Sequence, residues 1–200
     1  MTPEDRAEKF KTQTDALYAG LGRFVVNFEG LVAMMRDVIA SHVGNVPAPY
    51  HVRQQQVARI FTADLTAYPL TKTFRSILLL RLDSYGNLEQ RPQIEKLIST
   101  LCSQIDDINK ERNKLLHGTW LIEYTSEDQQ DFSQAEGYKT TNTAKGLRLD
   151  QLTHDAKSFS ETAEKCRVLR DLVGGIGLCM LNDIDLLKNY CLKDGQVLKT

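Results

Sequence analysis

Two hundred residues, 42% of them hydrophobic and 26% charged, suffice for one globular domain with a sizeable core, and nothing in the composition requires a second. The formal net charge of −1 supplies no overall basic field, which argues against a constitutive nucleic-acid coat protein and leaves room for a local basic patch. Met1–Arg6 lacks the basic and apolar regions of a secretory signal, and the longest apolar runs, Ile77–Leu80 and Leu172–Leu181, are shorter than the roughly 20 residues of a membrane span. A soluble cytoplasmic chain without a membrane partner is the expectation.

Cys102, Cys166, Cys179 and Cys191 show no paired spacing and fall among apolar helical positions, as buried free thiols do. His42, His51, His117 and His154 show no ligand pattern either, so neither a metal nor another cofactor is expected.

Residues 14–42 place Leu17, Leu21, Phe24, Val25, Phe28, Leu31, Val32, Met35 and Ile39 at the three-and-four spacing of an amphipathic helix, ended by Asn45, Pro47 and Pro49. Glu29 lies close to that stripe. Two readings stand for it: a carboxylate at the stripe's edge that reaches solvent, or the partner of a buried cation. Residues 54–66 and 70–83 read as two shorter helices broken at Tyr68-Pro69, followed by a turn at Ser84–Asn87.

The next helix, about 91–117, has Pro92 in its first turn and carries Ile94, Leu97, Ile98, Leu101, Ile105 and Ile108 along one face. Continuing that series by four lands on Arg112, and a guanidinium there must be paired or sit at a cleft. Glu29 is the acid placed to pair with it. Asn113 and His117 share a neighbouring face, and Gly118 suits a helix C-cap.

Residues 119–149 change character. Leu121–Thr125 and Tyr138–Thr143 have β-type composition, with Gly137 and Gly146 as punctuation, and predict a small hairpin or meander. From Thr153 or Ser158 to Tyr190 the helical period returns, with Ser158 and Glu161 as a capping box. Gly174-Gly175-Ile176-Gly177 follows no strand and precedes no Lys-Ser or Lys-Thr, so it reads as close helix packing rather than a phosphate loop.

Arg112 and His117 are the pair that carries chemistry. Without metal ligands or an acyl-enzyme nucleophile, they suit phosphodiester cleavage by the substrate's own 2′-hydroxyl: the His moves the proton and the Arg neutralises the phosphorane. A helix C-terminus also favours imidazolium. The architectural reading of the same pair is an ion-pair anchor and a C-capping His.

A long first helix, a kinked pair, a long helix ending in Arg112-Asn113-Lys114-Leu115-Leu116-His117-Gly118 and a final long helix together resemble the HEPN (higher eukaryotes and prokaryotes nucleotide-binding) family. Its motif is an Arg, a polar residue and a His after four to six intervening residues, which Arg112, Asn113 and His117 match. The resemblance spans most of residues 14–190 and implies a mostly α, up-and-down bundle of four to five helices in a single domain over 1–200, with the 119–149 segment as a β-type insertion. It further implies a homodimer whose two subunits bring Arg112 and His117 into a shared cleft. For many members it implies metal-independent endoribonuclease activity in toxin–antitoxin or antiphage systems; others only bind RNA, nucleotide or protein. On this reading Asn113 orients His117 or contacts phosphate, and Glu29 positions Arg112. Lys110 and Lys114 add local charge or are merely solvated. Trp120 stacks a base or plugs the core.

Overall fold

The computed structural model describes residues 1–45, 51–84, 88–124, 126, 129–144 and 146–200. Mostly helical, it carries a small antiparallel sheet and, before the C-terminus, a two-stranded hairpin. Pro47, Pro49 and Tyr85–Asn87, expected to stop a helix and to form a turn, lie outside the described residues. No helix among the described residues is long and apolar enough to cross a membrane.

Helix α1 (Pro3–Val43) starts well before the amphipathic stripe, because Thr2 and Asp5 cap it reciprocally. The Thr2 backbone N–H donates to Asp5 Oδ2 at 3.0 Å and the Asp5 N–H to Thr2 Oγ1 at 3.1 Å, with Pro3 in the first turn. Helices α2 (His51–Ala63) and α3 (Ala67–Leu82) are the expected shorter pair, but the break falls at residues 64–66 and not at Tyr68-Pro69: Pro69 stands in the first turn of α3, where a missing N–H costs nothing. Helix α4 (Arg91–Leu116) is the long apolar-striped helix.

Strands β1 (Thr119–Trp120), β2 (Gln134–Thr143) and β3 (Gly146–Asp155) form an antiparallel sheet in the order β1-β2-β3. The β-type region therefore runs on to Asp155 rather than ending at 149, while Leu121–Tyr124, expected to be β-type, lies outside the strands. Helix α5 (Ala156–Leu181) follows directly. Its capping box is Asp155 with Ser158, three residues before the expected one: the Ser158 N–H donates to Asp155 Oδ1 at 2.6 Å and the Asp155 N–H to Ser158 Oγ at 3.1 Å.

The final helix does not reach Tyr190. Asp183 adopts a left-handed φ of 53°, and the Ile184 N–H reaches back to the Cys179 carbonyl at 2.8 Å, ending α5 at Leu181. A short α6 (Leu186–Asn189) and strands β4 (Tyr190–Lys193) and β5 (Gln196–Lys199) replace the expected last turns. Asp194 and Gly195, with φ of 50° and 73°, make the two-residue turn between those strands.

The chain separates into two compact units, one of Met1–Phe28 and Lys110–Lys165, the other of Glu29–Asn109 and Cys166–Thr200. In the second unit, Leu31, Met35, Leu70, Phe74, Leu78, Ile94, Leu97, Ile98, Leu101, Val173, Ile176 and Met180 are buried. A side chain at Gly177 would lie 2.6 Å from Val38 Cγ1 and one at Gly174 3.0 Å from Met34 Sδ, so these glycines serve close helix packing. In the first unit, Ser126 and residues 129–132 are tied to the start of α1. Arg6 donates to the carbonyls of Gln129 and Ser126, Lys9 to that of Gln130, and Phe10 packs edge-on against Phe132 at 5.1 Å.

Candidate functional site at the end of helix α4

The first unit contains the whole Arg112–His117 stretch. Helix α4 ends at Leu116, leaving carbonyls of its last turn without intrahelical donors. The neighbouring sheet supplies two of them. The Trp120 indole Nε1–H donates to the Leu115 carbonyl at 2.7 Å, and the Lys139 ammonium donates to the Asn113 carbonyl at 3.1 Å. A cation at a helix C-terminus also complements the backbone dipole.

Gly118 follows without the left-handed backbone of a glycine cap, contrary to its expected role. Its smallness serves close approach instead: a Cβ there would stand 2.7 Å from Leu152 Cδ1 and 3.0 Å from the Lys114 carbonyl oxygen.

Arg112 is half-buried. Its guanidinium carbon lies 5.6 Å from the centre of the Phe28 ring, within cation–π range. Nη1 donates to Asn113 Oδ1 at 3.2 Å and stands 3.4 Å from His117 Nε2. Arginine has donors and no acceptor, so the last contact is a hydrogen bond only when Nε2 holds its lone pair. Arg112 Nε is buried and makes no hydrogen bond. The side chain is thus held by a ring face and an amide, with His117 exposed just past the helix end.

The expected partners of Arg112 need revision. Glu29 is exposed, as a carboxylate reaching solvent would be, and the recorded contacts of Arg112 are with Phe28, Asn113 and His117. Asn113 bonds Arg112 through its side chain, which makes it a holder of the arginine rather than of His117. Lys110 and Lys114 are both exposed, and Lys114 Nζ is 3.5 Å from Glu111 Oε2. Trp120 is engaged on its edges and faces: besides capping Leu115 it meets His154 and Phe159, each at 5.6 Å. That makes it a packed cap rather than an open stacking platform.

Sequence reasoning missed Phe28, Lys139 and His154. His154 stacks on Phe159 at 5.1 Å, contacts Ser158 Oγ through Nδ1 at 3.1 Å and places Nε2 3.7 Å from Glu111 Oε1. Phe28 was legible only as a core residue of the α1 stripe, and no local signal joins Lys139 to Asn113, which lies 26 positions away. The thiols of Cys102 and Cys166 are pushed up to about 12 by burial, which suppresses the nucleophilic thiolate at neutral pH.

Chemically, the α4 end offers a guanidinium beside an accessible imidazole, the former to take negative charge and the latter to take or return a proton. Comparison with protein-family models, curated proteins and solved structures gives no match.

Proposed function

We propose that this chain is a HEPN-like, metal-independent endoribonuclease, acting in a toxin–antitoxin or antiphage setting, whose Arg112 and His117 from two copies line a shared cleft. The observation that carries the reading is the 3.4 Å approach of Arg112 Nη1 to His117 Nε2 at an exposed helix end. An unprotonated Nε2 is the form that removes the proton from a ribose 2′-hydroxyl. The resulting alkoxide attacks the adjacent phosphorus, and the guanidinium neutralises the charge that builds on the non-bridging oxygens. The 5′-oxygen leaves with a proton returned by imidazolium, and a 2′,3′-cyclic phosphate remains.

Asn113 and Phe28 serve this chemistry by fixing the guanidinium, since an arginine held on two sides loses less freedom when it meets phosphate. RNA incubated with the chain in EDTA is then cut into fragments ending in 2′,3′-cyclic phosphate; fragments with 3′-hydroxyl ends are the product of a different reaction and contradict the scheme.

The competing reading, a non-catalytic HEPN-like module that binds RNA, nucleotide or protein, is favoured by two observations: the buried, unbonded Arg112 Nε and the Phe28 contact are features of an architectural arginine. Under it, Arg112→Lys destabilises the fold and no RNA is cut.

A further inference from the structure

Strand β3 is the edge of its sheet, and its ladder with β2 runs from Gln134↔Asp155 to Thr143↔Gly146 without a bulge. Strand β1 pairs with Tyr138 and Gly137, so among the described residues the outer half of the hairpin, Lys139–Thr143 with Gly146–Asp150, has no third strand. Leu147 and Leu149 project from one face and are 75% and 63% exposed. A two-stranded ribbon is marginally stable in water, and proteins usually blunt such edges with proline, lysine or a bulge. Residues 146–155 contain neither proline nor lysine.

We infer that the β3 edge is a dimerisation surface on which a second copy of this chain adds its own β3 antiparallel, about a two-fold axis through Leu149. The charge pattern of the strand suits a second copy of itself and disfavours the two adjacent registers. Arg148 and Asp150 flank Leu149 on the opposite face and are already paired with each other at 2.7 Å. A two-fold axis perpendicular to the sheet keeps each side chain on its own face. Centred on Leu149, it sets Leu149 against Leu149, Arg148 against Asp150 and Asp150 against Arg148 of the second copy, and Leu147 against Gln151. Centring on Arg148 or on Asp150 would set like charge against itself, which is destabilising. The added strand also satisfies the outward backbone groups of the edge. This contact is separate from the shared cleft of the proposed ribonuclease: it stands on the β3 sequence and ladder alone and needs no catalytic activity.

Two measurements on the full chain test it. Residues directly opposite in an antiparallel pair have Cα atoms about 4.5–5.5 Å apart, within disulfide reach. Under oxidation, Leu149→Cys forms a covalent dimer beyond any seen with the unsubstituted chain, whereas Leu147→Cys, several residues from its own symmetry mate, does not. In sedimentation, Arg148→Asp and Asp150→Arg each weaken the dimer by roughly tenfold or more, since each sets like charges opposite twice, and the double exchange restores it. Circular dichroism confirms that each variant is folded. A monomeric unsubstituted chain, a dimer indifferent to both single exchanges, or equal cross-linking from Leu147→Cys overturns the inference.

Discussion

The Lys139 ammonium, carried on strand β2, donates to the Asn113 carbonyl at 3.1 Å, so the sheet holds the helix end at which Arg112 and His117 stand. The same sheet supplies the Trp120 indole to Leu115, two residues further on. The sheet is thereby part of the frame of that helix end.

Lys139→Met keeps the aliphatic stem and removes the donor. The loss of one hydrogen bond from a half-buried cation costs about 0.5–1.5 kcal/mol, a drop of roughly 1–6 °C in Tm for a chain of this size. RNA cleavage falls more than for Lys114→Met on the exposed side of α4. Thermal melts and cleavage rates on both variants check it, and equal rates would remove Lys139 from the frame of the site.

Trp120→Phe preserves most of the packing against His154 and Phe159 and deprives the Leu115 carbonyl of its donor. Stability falls by about 1–3 kcal/mol, the cost of an unsatisfied buried group, while affinity for single-stranded RNA is unchanged. A folded variant with weakened RNA affinity would return Trp120 to the role of a stacking platform.

Gly118→Ala places a methyl group 3.0 Å from the Lys114 carbonyl, a backbone atom with little freedom, and 2.7 Å from the Leu152 side chain, which can turn away. The expected cost is about 1–3 kcal/mol in denaturant unfolding, as for other overpacked sites. Because its φ is not left-handed, Gly118→Asn destabilises at least as much as Gly118→Ala; a helix-capping glycine would give the reverse order.

His42 bonds the Gly177 carbonyl through Nε2 at 3.1 Å, and burial lowers its pKa below the usual 6.5, the carbonyl contact opposing that shift only in part. The unfolded chain therefore binds a proton that the folded chain resists. The contribution of neutral His42 is complete above about pH 6.5 and is lost as pH falls through and below that value. His42→Gln, which can still donate to Gly177, flattens the stability profile between pH 7 and pH 5 measured by urea midpoints; an unchanged slope would show that His42 does not govern it.

The helices were legible because apolar residues recur at three and four positions along α1, α4 and α5, and packing then needs no further information. Two starts and stops were misread although their signals are present. Thr2-Pro3-Glu4-Asp5 is a capping sequence that the weakly apolar stretch after it obscured, and Asp194-Gly195 between Leu192 and Val197 marks a hairpin hidden by a helical period running on through Ile184, Leu187 and Tyr190. Arg112 was legible as a cation breaking an apolar stripe. Its actual support, Phe28 and Asn113, was not: a cation on a stripe asks for an acid first, and a ring face leaves no distinctive mark among other core residues. Glu29 satisfied the spacing but is exposed.

RNA cleavage in EDTA by the unsubstituted chain, Arg112→Ala and His117→Ala, each shown to be folded by circular dichroism, tests the proposed activity most directly. Cleavage by the unsubstituted chain that falls at least about 100-fold in each variant is the expected result, the scale of a lost general base or charge stabiliser. No cleavage by the unsubstituted chain, or undiminished cleavage by both variants, would contradict it.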